Sequence, residues 1–400
     1  MPGLPALCLR PRELRRGAAL TLVFLVSVAT AAGTGCWDAA EAGGDVRTVA
    51  RTSGPQAEDA PPGVGGAGGT ADREAVARAA AEAVAEGKSG KKAAQEVVSR
   101  SGDRWGTVYD RGEYAAFAED LDGCWTGVGL WARRMPGGRI EVDRVQPDSP
   151  AARAGLRAGD RLLSVDGQAV TGLAVADVVA LLRGRAGTPV VLGLSRDGAD
   201  LTETVRRERM RTEPVTVRRL ADGITVIKVA SFTRGSGERV RDAVRAAPPG
   251  GGVMLDLRGN RGGLVTEAVT AASAFLDGGL VATYDVRGSE RALYARPGGD
   301  TARPLVALVD GGTMSAAELV TGALQDRGRA VTVGTRTFGK GTVQMPTELP
   351  GGSVAELTVG TYRTPAGRSL DGAGITPDLE AGERAEERAR AVLGGLGVGP

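Results

Sequence analysis

The sequence predicts an α/β multidomain protein, and three observations support that class. Short apolar segments alternate with helical segments in the C-terminal half, which is typical of a layered α/β core. The middle of the chain changes to short strands and tight turns with one helix, which indicates a separate, mostly β domain. Two helical segments precede that domain. The 400 residues leave room for two or three such units.

The first 36 residues resemble an export or anchoring segment. Basic residues precede an apolar run over 18–32, which is shorter than the roughly 20 apolar residues of a membrane-spanning helix. The small residue before Cys36 resembles a bacterial lipoprotein cleavage site, so Cys36 is a lipidation candidate. The alternatives are cleavage after Ala31 and retention as an anchor. All three predict an extracytoplasmic protein of a bacterial cell envelope that is membrane-anchored, lipid-attached or secreted.

The next two segments are predicted from composition and periodicity. Residues 37–70 are rich in Gly and Pro and cannot bury much apolar surface, which indicates a flexible linker. An N-terminal helical region is expected over 71–125, with helices at 72–86 and 91–100.

The middle segment, 126–197, resembles a PDZ domain. A strand over 140–145, a helix over 175–182 and a strand over 189–195 are separated by tight turns. A PDZ domain binds a peptide tail as an added strand at a sheet edge, and backbone amides of a glycine-rich loop hold the terminal carboxylate. The candidate tail-binding residues are Gly127, Val128, Gly129 and Leu130, with the two apolar side chains helping to shape a pocket for an apolar last residue.

Composition excludes several kinds of chemistry. The net charge of +2 gives no case for nucleic acid or for a polybasic membrane contact. The chain contains no histidine, which excludes Ser-His-Asp and Cys-His mechanisms, His-containing zinc sites and a histidine base. The cysteines at 8, 36 and 124 fit neither a metal cluster nor a disulfide framework. No metal or organic cofactor is indicated.

Ser315 is a candidate nucleophile. A buried strand is expected over 305–309, and a helix begins shortly after it. A serine at this junction can expose its hydroxyl, while the following amides and the helix dipole face a developing oxyanion. Taken alone, the position also suits a serine that only caps the helix.

Lys340 is a candidate base. Residues 334–340 spell G-x-x-x-x-G-K, the opening of a phosphate-binding loop, but Gly341 replaces the required Ser or Thr, and prolines interrupt any following helix. The chain has only five lysines against 45 arginines. A desolvated lysine can lose its proton near neutral pH, whereas arginine cannot. Lysine can therefore activate serine in a chain without histidine, although a lone lysine in a glycine turn is often just a solvated charge.

Together these motifs resemble the carboxyl-terminal processing peptidases, also called tail-specific serine proteases. The segments that carry the resemblance are 312–318, 338–344, the glycine motif at 256–263 and a C-terminal signature over 357–378. With the PDZ-like segment, the resemblance covers roughly 71–385. It implies a crotonase-like α/β/α peptidase core over 205–385 with an inserted PDZ domain, followed by a C-terminal tail over 386–400.

The resemblance also implies catalytic roles. Ser315 would be the nucleophile, Lys340 the general base and Gln344 the residue that orients the lysine. Glu318 matches the nucleophile motif as well, and a surface or helix-supporting role is expected for it.

An oxyanion hole is implied by the same resemblance. Its donors would be the amide of Ala316 and a glycine amide of the turn at 261–263, with Gly262 favoured over Gly263. Arg261 stands where this family usually has a proline, which could loosen the turn or place a positive charge near it.

The function implied is an exported serine endopeptidase that cleaves proteins near their C-termini. The PDZ domain would capture an apolar substrate tail and gate the Ser-Lys dyad. Protein substrates with such tails are the expected partners, with no nucleic acid; membrane attachment and a homo-oligomer stay open. One alternative is a catalytically silent PDZ scaffold that binds C-terminal tails at the cell surface. Another is a Ser-Lys amidase acting on a small molecule or on the cell wall.

Overall fold

The computed structural model describes residues 69–286 and 289–398, without the side chain of Ala176. The predicted export segment, the lipidation candidate Cys36 and all but the last two residues of the predicted linker lie outside this range. Within it, no helix has both the length and the apolar character needed to cross a membrane.

The described chain begins with a helical region that contains α1 (Arg73–Ala85), α2 (Gly90–Ser101), β1 (Thr107–Tyr109) and α3 (Arg111–Leu121). Side chains cap the start of all three helices. Asp72 accepts from the amide of Glu74 at α1, and Ser89 accepts from the amide of Lys92 at α2. The two helices expected at 72–86 and 91–100 are confirmed to within one residue at each end.

The middle domain is an antiparallel sheet with two helices. The chain enters through β2 (Cys124–Gly127) and continues as β3 (Leu130–Arg134), β4 (Ile140–Val145), α4 (Pro150–Arg153), β5 (Arg161–Val165), β6 (Gln168–Ala169), α5 (Val175–Leu182), β7 (Pro189–Arg196) and β8 (Ala199–Arg206). It leaves through β9 (Glu208–Arg211), which pairs antiparallel with β2. The strand order is β3-β4-β5-β7-β8, with β6 paired to β5, so β3 is an edge strand. The sheet extends past residue 197, because β8 pairs with β7 along its whole length.

The C-terminal half alternates strands and helices, as the sequence predicts. Its elements are β10 (Val215–Arg219), β11 (Thr225–Val229), α6 (Ser236–Arg245), β12 (Val253–Asp256), α7 (Val265–Ser273), β13 (Leu280–Val286), β14 (Ser289–Tyr294), β15 (Leu305–Val309), α8 (Ala316–Asp326), β16 (Val331–Gly334), β17 (Thr342–Glu348), β18 (Val354–Arg363), β19 (Leu379–Glu380) and α9 (Ala385–Gly395).

A six-stranded sheet forms the centre of this half, in the order β10-β11-β12-β15-β16-β19. All neighbouring strands are parallel except the β10–β11 pair. Alternate strand residues face opposite sides, so Leu255 packs in the cluster that contains α6, α7 and α8, whereas Met254 packs in the cluster that contains α9. The result is the α/β/α layering expected for this region.

A second, five-stranded sheet covers one side of the core. Its order is β1-β18-β13-β14, with β17 also paired to β18. Strand β1 joins it antiparallel, with Thr107 opposite Glu356. The N-terminal region is therefore built into the same sheet that follows Lys340.

The expectation of a C-terminal tail over 386–400 is wrong for most of its described residues. Helix α9 spans Ala385–Gly395 and covers one face of the parallel sheet through the buried side chains of Ala385, Ala389 and Leu393. These residues recur every four positions, as on one helix face, but two alanines give only a weak apolar signal in the sequence.

Candidate active site

The site is assembled from three loops that follow β12, β15 and β16. These strands are adjacent and parallel, so their carboxyl ends lie at one edge of the sheet. Hydrogen bonds join the loops to one another. The amide of Met314 donates to the carbonyl of Asn260 at 2.8 Å, and the amide of Phe338 donates to the carbonyl of Thr313 at 3.0 Å.

Ser315 lies at the junction between the β15 loop and α8. Its φ of 52° is in a region that non-glycine residues rarely occupy, and only 3% of the residue is exposed. Such a conformation costs of order 1–3 kcal/mol and persists only where the surrounding structure enforces it, as at strained serine nucleophiles between a strand and a helix. A helix cap does not require this strain, so the backbone favours the catalytic interpretation of Ser315.

The glycine motif places Gly262 directly against Ser315. At a φ of 95°, a Cβ added to Gly262 would lie 3.0 Å from the Cβ of Ser315 and 3.1 Å from the amide nitrogen of Ala316. The turn is held by Asn260, which is fully buried, accepts from the Gly262 amide at 2.8 Å and donates to the carbonyl of Val229 at 2.9 Å.

This geometry changes the choice of oxyanion donor. The amide of Gly262, favoured from the sequence, already donates to Asn260 and points at that side chain. Within the described residues, the amides of Gly263 and Ala316 donate to no protein acceptor. Gly263 is therefore the better glycine candidate. Arg261 is exposed, and because Asn260 fixes the turn, a proline at 261 is not needed to hold it.

Lys340 lies on the loop between β16 and β17 and is fully buried. A strand follows it rather than a helix, which removes the phosphate-loop interpretation. Its Nζ has no hydrogen-bond partner among the described residues and lies 4.7 Å from the ring centroid of Trp105. Burial disfavours the ammonium form and lowers the pKa of Lys340 to about 8.

Four carboxylates oppose this effect and favour the protonated lysine, with Glu356 contributing most, followed by Asp103, Asp371 and Glu318. Glu356 lies on β18 and Glu318 on α8. Asp103 follows α2, and Asp371 lies in the loop after β18. Asp103 and Trp105 belong to no motif that marks them in the sequence, and Glu356 precedes the recognised signature by one residue. Sequence reasoning missed all three.

Gln344 is fully buried on β17. Its Nε2 donates to the hydroxyl of Thr342 at 2.7 Å and to that of Thr358 at 3.3 Å. Its Oε1 has no hydrogen-bond partner among the described residues. The amide is therefore held by two threonines, with its acceptor oxygen free to receive a proton donor such as a lysine ammonium.

Glu318 is fully buried, so the surface role considered for it is wrong. One oxygen accepts from the amides of Ser315 at 2.9 Å and Lys340 at 2.8 Å. The other accepts from the Thr337 hydroxyl at 2.6 Å and the Gly339 amide at 2.8 Å. This carboxylate therefore ties the backbone of the candidate nucleophile to the backbone of the candidate base.

The predicted tail-binding loop lies between β2 and the edge strand β3. Val128 and Leu130 are buried in the core of the middle domain. Gly129 has a φ of 86°, and an added Cβ would lie 2.2 Å from the Cβ of Ser149. The carbonyl of Val128 accepts from the amide of Ala151 at 2.8 Å, so α4 braces the loop.

Comparisons with known proteins relate two segments of the chain to protein families. The model of "Peptidase family S41" matches residues 223–381, and the model of a PDZ domain matches 141–196. The carboxy-terminal processing protease CtpA of Bacillus subtilis is 33% identical over 284 residues, which cover 70% of this chain and 61% of that protein. The chloroplastic C-terminal processing peptidase of Tetradesmus obliquus is 36% identical over 66% of this chain and 62% of its own length. The chain thus spans about three fifths of the curated relatives it matches.

A solved structure of a C-terminal processing protease has a similar fold. The photosystem II D1 C-terminal processing protease superposes with a TM-score of 0.50 at 31% identity, covering 76% of this chain and 86% of that one. The chain belongs to peptidase family S41, and within it to the C-terminal processing proteases that carry a PDZ domain.

Proposed function

We propose that this protein is an exported serine endopeptidase that cleaves protein substrates near their C-termini, with Ser315 and Lys340 as its catalytic dyad. The observation that carries the proposal is the pairing of a strained serine with a fully buried lysine that has no hydrogen-bond partner among the described residues. The chain contains no histidine, and a lysine with a lowered pKa is a base that can activate a serine nucleophile.

In the proposed reaction, neutral Lys340 accepts the proton of the Ser315 hydroxyl while Oγ attacks the scissile carbonyl carbon. The amides of Ala316 and Gly263 stabilise the resulting oxyanion. The Lys340 ammonium then donates its proton to the leaving amine, and an acyl-enzyme forms. A water molecule, deprotonated by Lys340, hydrolyses that ester and regenerates the serine. The Oε1 of Gln344 accepts from the ammonium and orients it.

The PDZ domain supplies substrate selection in this proposal. A substrate tail adds as a strand beside the edge strand β3, and the loop of residues 127–130 holds its terminal carboxylate. The apolar side chains of Val128 and Leu130, packed in the domain core at this loop, support the choice of an apolar last residue.

Digestion of a model protein that ends in an apolar tail tests the function. The full chain, Ser315→Ala, Lys340→Ala and the control Lys88→Ala are compared, since Lys88 is an exposed lysine between α1 and α2. We expect cleavage by the wild type and by Lys88→Ala, none by the two dyad variants, and weaker cleavage of a substrate with a charged tail.

Tail binding without cleavage in any form would instead support a PDZ scaffold. Cleavage that survives in Lys340→Ala would contradict the dyad. Equal cleavage of apolar and charged tails would contradict the selection by the PDZ loop.

A further inference from the structure

Glu356 is a buried glutamate whose carboxyl group accepts no hydrogen bond from any described residue. It lies in the middle of the second sheet, opposite Thr107 of β1 and Pro346 of β17, and is fully buried. Neither carboxyl oxygen has a hydrogen-bond partner among the described residues. Buried ionisable groups are normally paired, so this position calls for a different explanation.

The geometry connects Glu356 to Lys340. The ring of Trp105 contacts the Lys340 ammonium, and Trp105 is two residues before Thr107, the strand partner of Glu356. Lys340 is the charged residue that acts on Glu356, and Glu356 is the carboxylate that acts most strongly on Lys340. No ion pair within 4.0 Å joins them, so both side chains keep unpartnered polar atoms in the same buried region.

We propose that Glu356 is a positioning residue for the catalytic base: its carboxyl group and the Lys340 amine form a proton-coupled pair that sets the pH range in which Lys340 can accept the Ser315 proton. The inference rests on the proposed function for the role of Lys340, but the coupling itself can be measured without catalysis.

The physical basis is mutual stabilisation of two charges that burial disfavours. Burial raises the pKa of Glu356 to about 8, against the opposing effect of the Lys340 charge. Burial lowers the pKa of Lys340 to about 8, against the opposing effect of Glu356. Two interacting groups that titrate in one pH range lose their protons in steps that belong to the pair.

The other groups around the pair are fixed by their own contacts. Asp103 and Glu318 accept hydrogen bonds from backbone amides, and Asp371 forms an ion pair with Arg104. Burial and the nearby Glu356 carboxylate raise the pKa values of Tyr109 and Tyr114, so both phenols stay neutral. Glu356 is thus the one carboxylate of this group, among the described residues, whose charge can change without breaking a hydrogen bond or an ion pair.

Titration of the lysine side chains by NMR tests the proposal. The full chain has five lysines, so labelling Lys with ¹³C at Cε gives five signals, and Lys340→Met identifies that of Lys340. We expect the Lys340 signal of the wild type to titrate in two steps. In Glu356→Gln it should titrate in one step, with a midpoint lower by about one pH unit or more, because the carboxylate no longer stabilises the ammonium.

Glu348→Gln is the matched control, since Glu348 is an exposed glutamate on β17 of the same sheet. In Glu348→Gln, the Lys340 signal should titrate as it does in the wild type. The acid limb of the pH profile of kcat/KM should move to lower pH in Glu356→Gln by the same amount as the NMR midpoint.

A single-step titration of the Lys340 signal in the wild type would overturn the proposal, and this readout is taken on the wild type itself, with Lys340→Met used only to assign the signal. Equal Lys340 midpoints in Glu356→Gln and Glu348→Gln would overturn it too. Two-step titration in a chain that cleaves no substrate would support the coupling while contradicting the peptidase function, so the two failures are distinguishable.

Discussion

At the level of single residues, the role proposed for Lys340 conflicts with the stability of the fold. A lysine in a fully buried position must lose its hydration, and Trp105 compensates only partly through its ring face. The pKa of about 8 lies well below the ordinary lysine value of 10.5, so folding disfavours the ammonium form. An arginine could not relieve this cost by losing its proton, which is a physical reason for a lysine in an arginine-rich chain.

Replacement of this lysine by methionine is expected to stabilise the fold. Between pH 8 and 10.5 the unfolded chain keeps the lysine proton and the folded chain does not, so the free energy of unfolding of the wild type rises with pH there. The rise is about 3 kcal/mol. Below pH 8 the folded chain holds the lysine as a buried ammonium, and the destabilisation that this burial causes has its full value. Denaturant unfolding should show Lys340→Met more stable than the wild type by up to this amount near pH 7, with the advantage shrinking toward pH 10.5.

Lys88→Met serves as the control, because its side chain is 72% exposed, and its stability should follow that of the wild type at every pH. A constant stability difference between Lys340→Met and the wild type from pH 7 to 10.5 would contradict the assigned pKa.

At the level of elements, the three loops after β12, β15 and β16 meet because parallel strands end together. Contacts between glycines and their neighbours set the spacing of these loops. Gly259 and Gly262 both have positive φ in the loop after β12, but only at Gly262 would a Cβ meet the Ser315 region. At Gly259 an added Cβ meets nothing within 4 Å. Gly262 and Gly259 therefore form a test position and its matched control within one loop.

Gly262→Ala is expected to abolish most activity, while Gly259→Ala keeps most of it. Both changes place alanine at positive φ, at a cost of about 1–2 kcal/mol each. Only Gly262→Ala also pushes on Ser315 and the Ala316 amide, and we expect a loss of at least about 100-fold in kcat/KM. Steady-state kinetics with parallel unfolding measurements checks this, and similar kcat/KM values in the two variants would contradict the close approach to Ser315.

Local patterns explain what the sequence could predict at this scale. The alternation of strands and helices and the serine at a strand–helix junction are visible in local patterns, and the lysine stands out from the composition of a chain without histidine. The choice between Gly262 and Gly263 as the candidate oxyanion donor was not visible there, because the direction of the Gly262 amide depends on its hydrogen bond to the Asn260 side chain. Helix α9 was missed because its buried face is mostly alanine.

At the level of the whole molecule, the N-terminal region takes part in the site across a large sequence distance. Asp103 accepts from the amide of Thr358 at 2.9 Å and from its hydroxyl at 2.8 Å, across 255 positions of the chain. The Thr358 hydroxyl also accepts from Gln344. No local pattern could have placed Asp103 there, since its position depends on the pairing of β1 with β18.

Asp103→Ala should therefore weaken catalysis from a distance. Removal of a buried carboxylate leaves Thr358 unsatisfied and loosens Gln344, and we expect kcat/KM to fall by about 10- to 100-fold. Hydrogen exchange at the Thr358 amide should become faster in the same variant. Asp72→Ala, which removes only the cap of α1 at a cost of about 1 kcal/mol, should leave both readouts unchanged. Wild-type kcat/KM in Asp103→Ala would contradict the link to Gln344.

The antiparallel pairing of β2 with β9 has a consequence for how such a chain can be rebuilt. The polypeptide leaves the core and returns to it through two hydrogen-bonded neighbours, from Cys124 opposite Arg211 to Gly127 opposite Glu208. The two connections between the core and the PDZ domain therefore form one short two-stranded ribbon. A different peptide-binding domain whose ends lie side by side could be spliced at this ribbon without changing the register of any core strand. Under the proposed function, such an exchange would alter substrate recognition while the peptidase core keeps its structure.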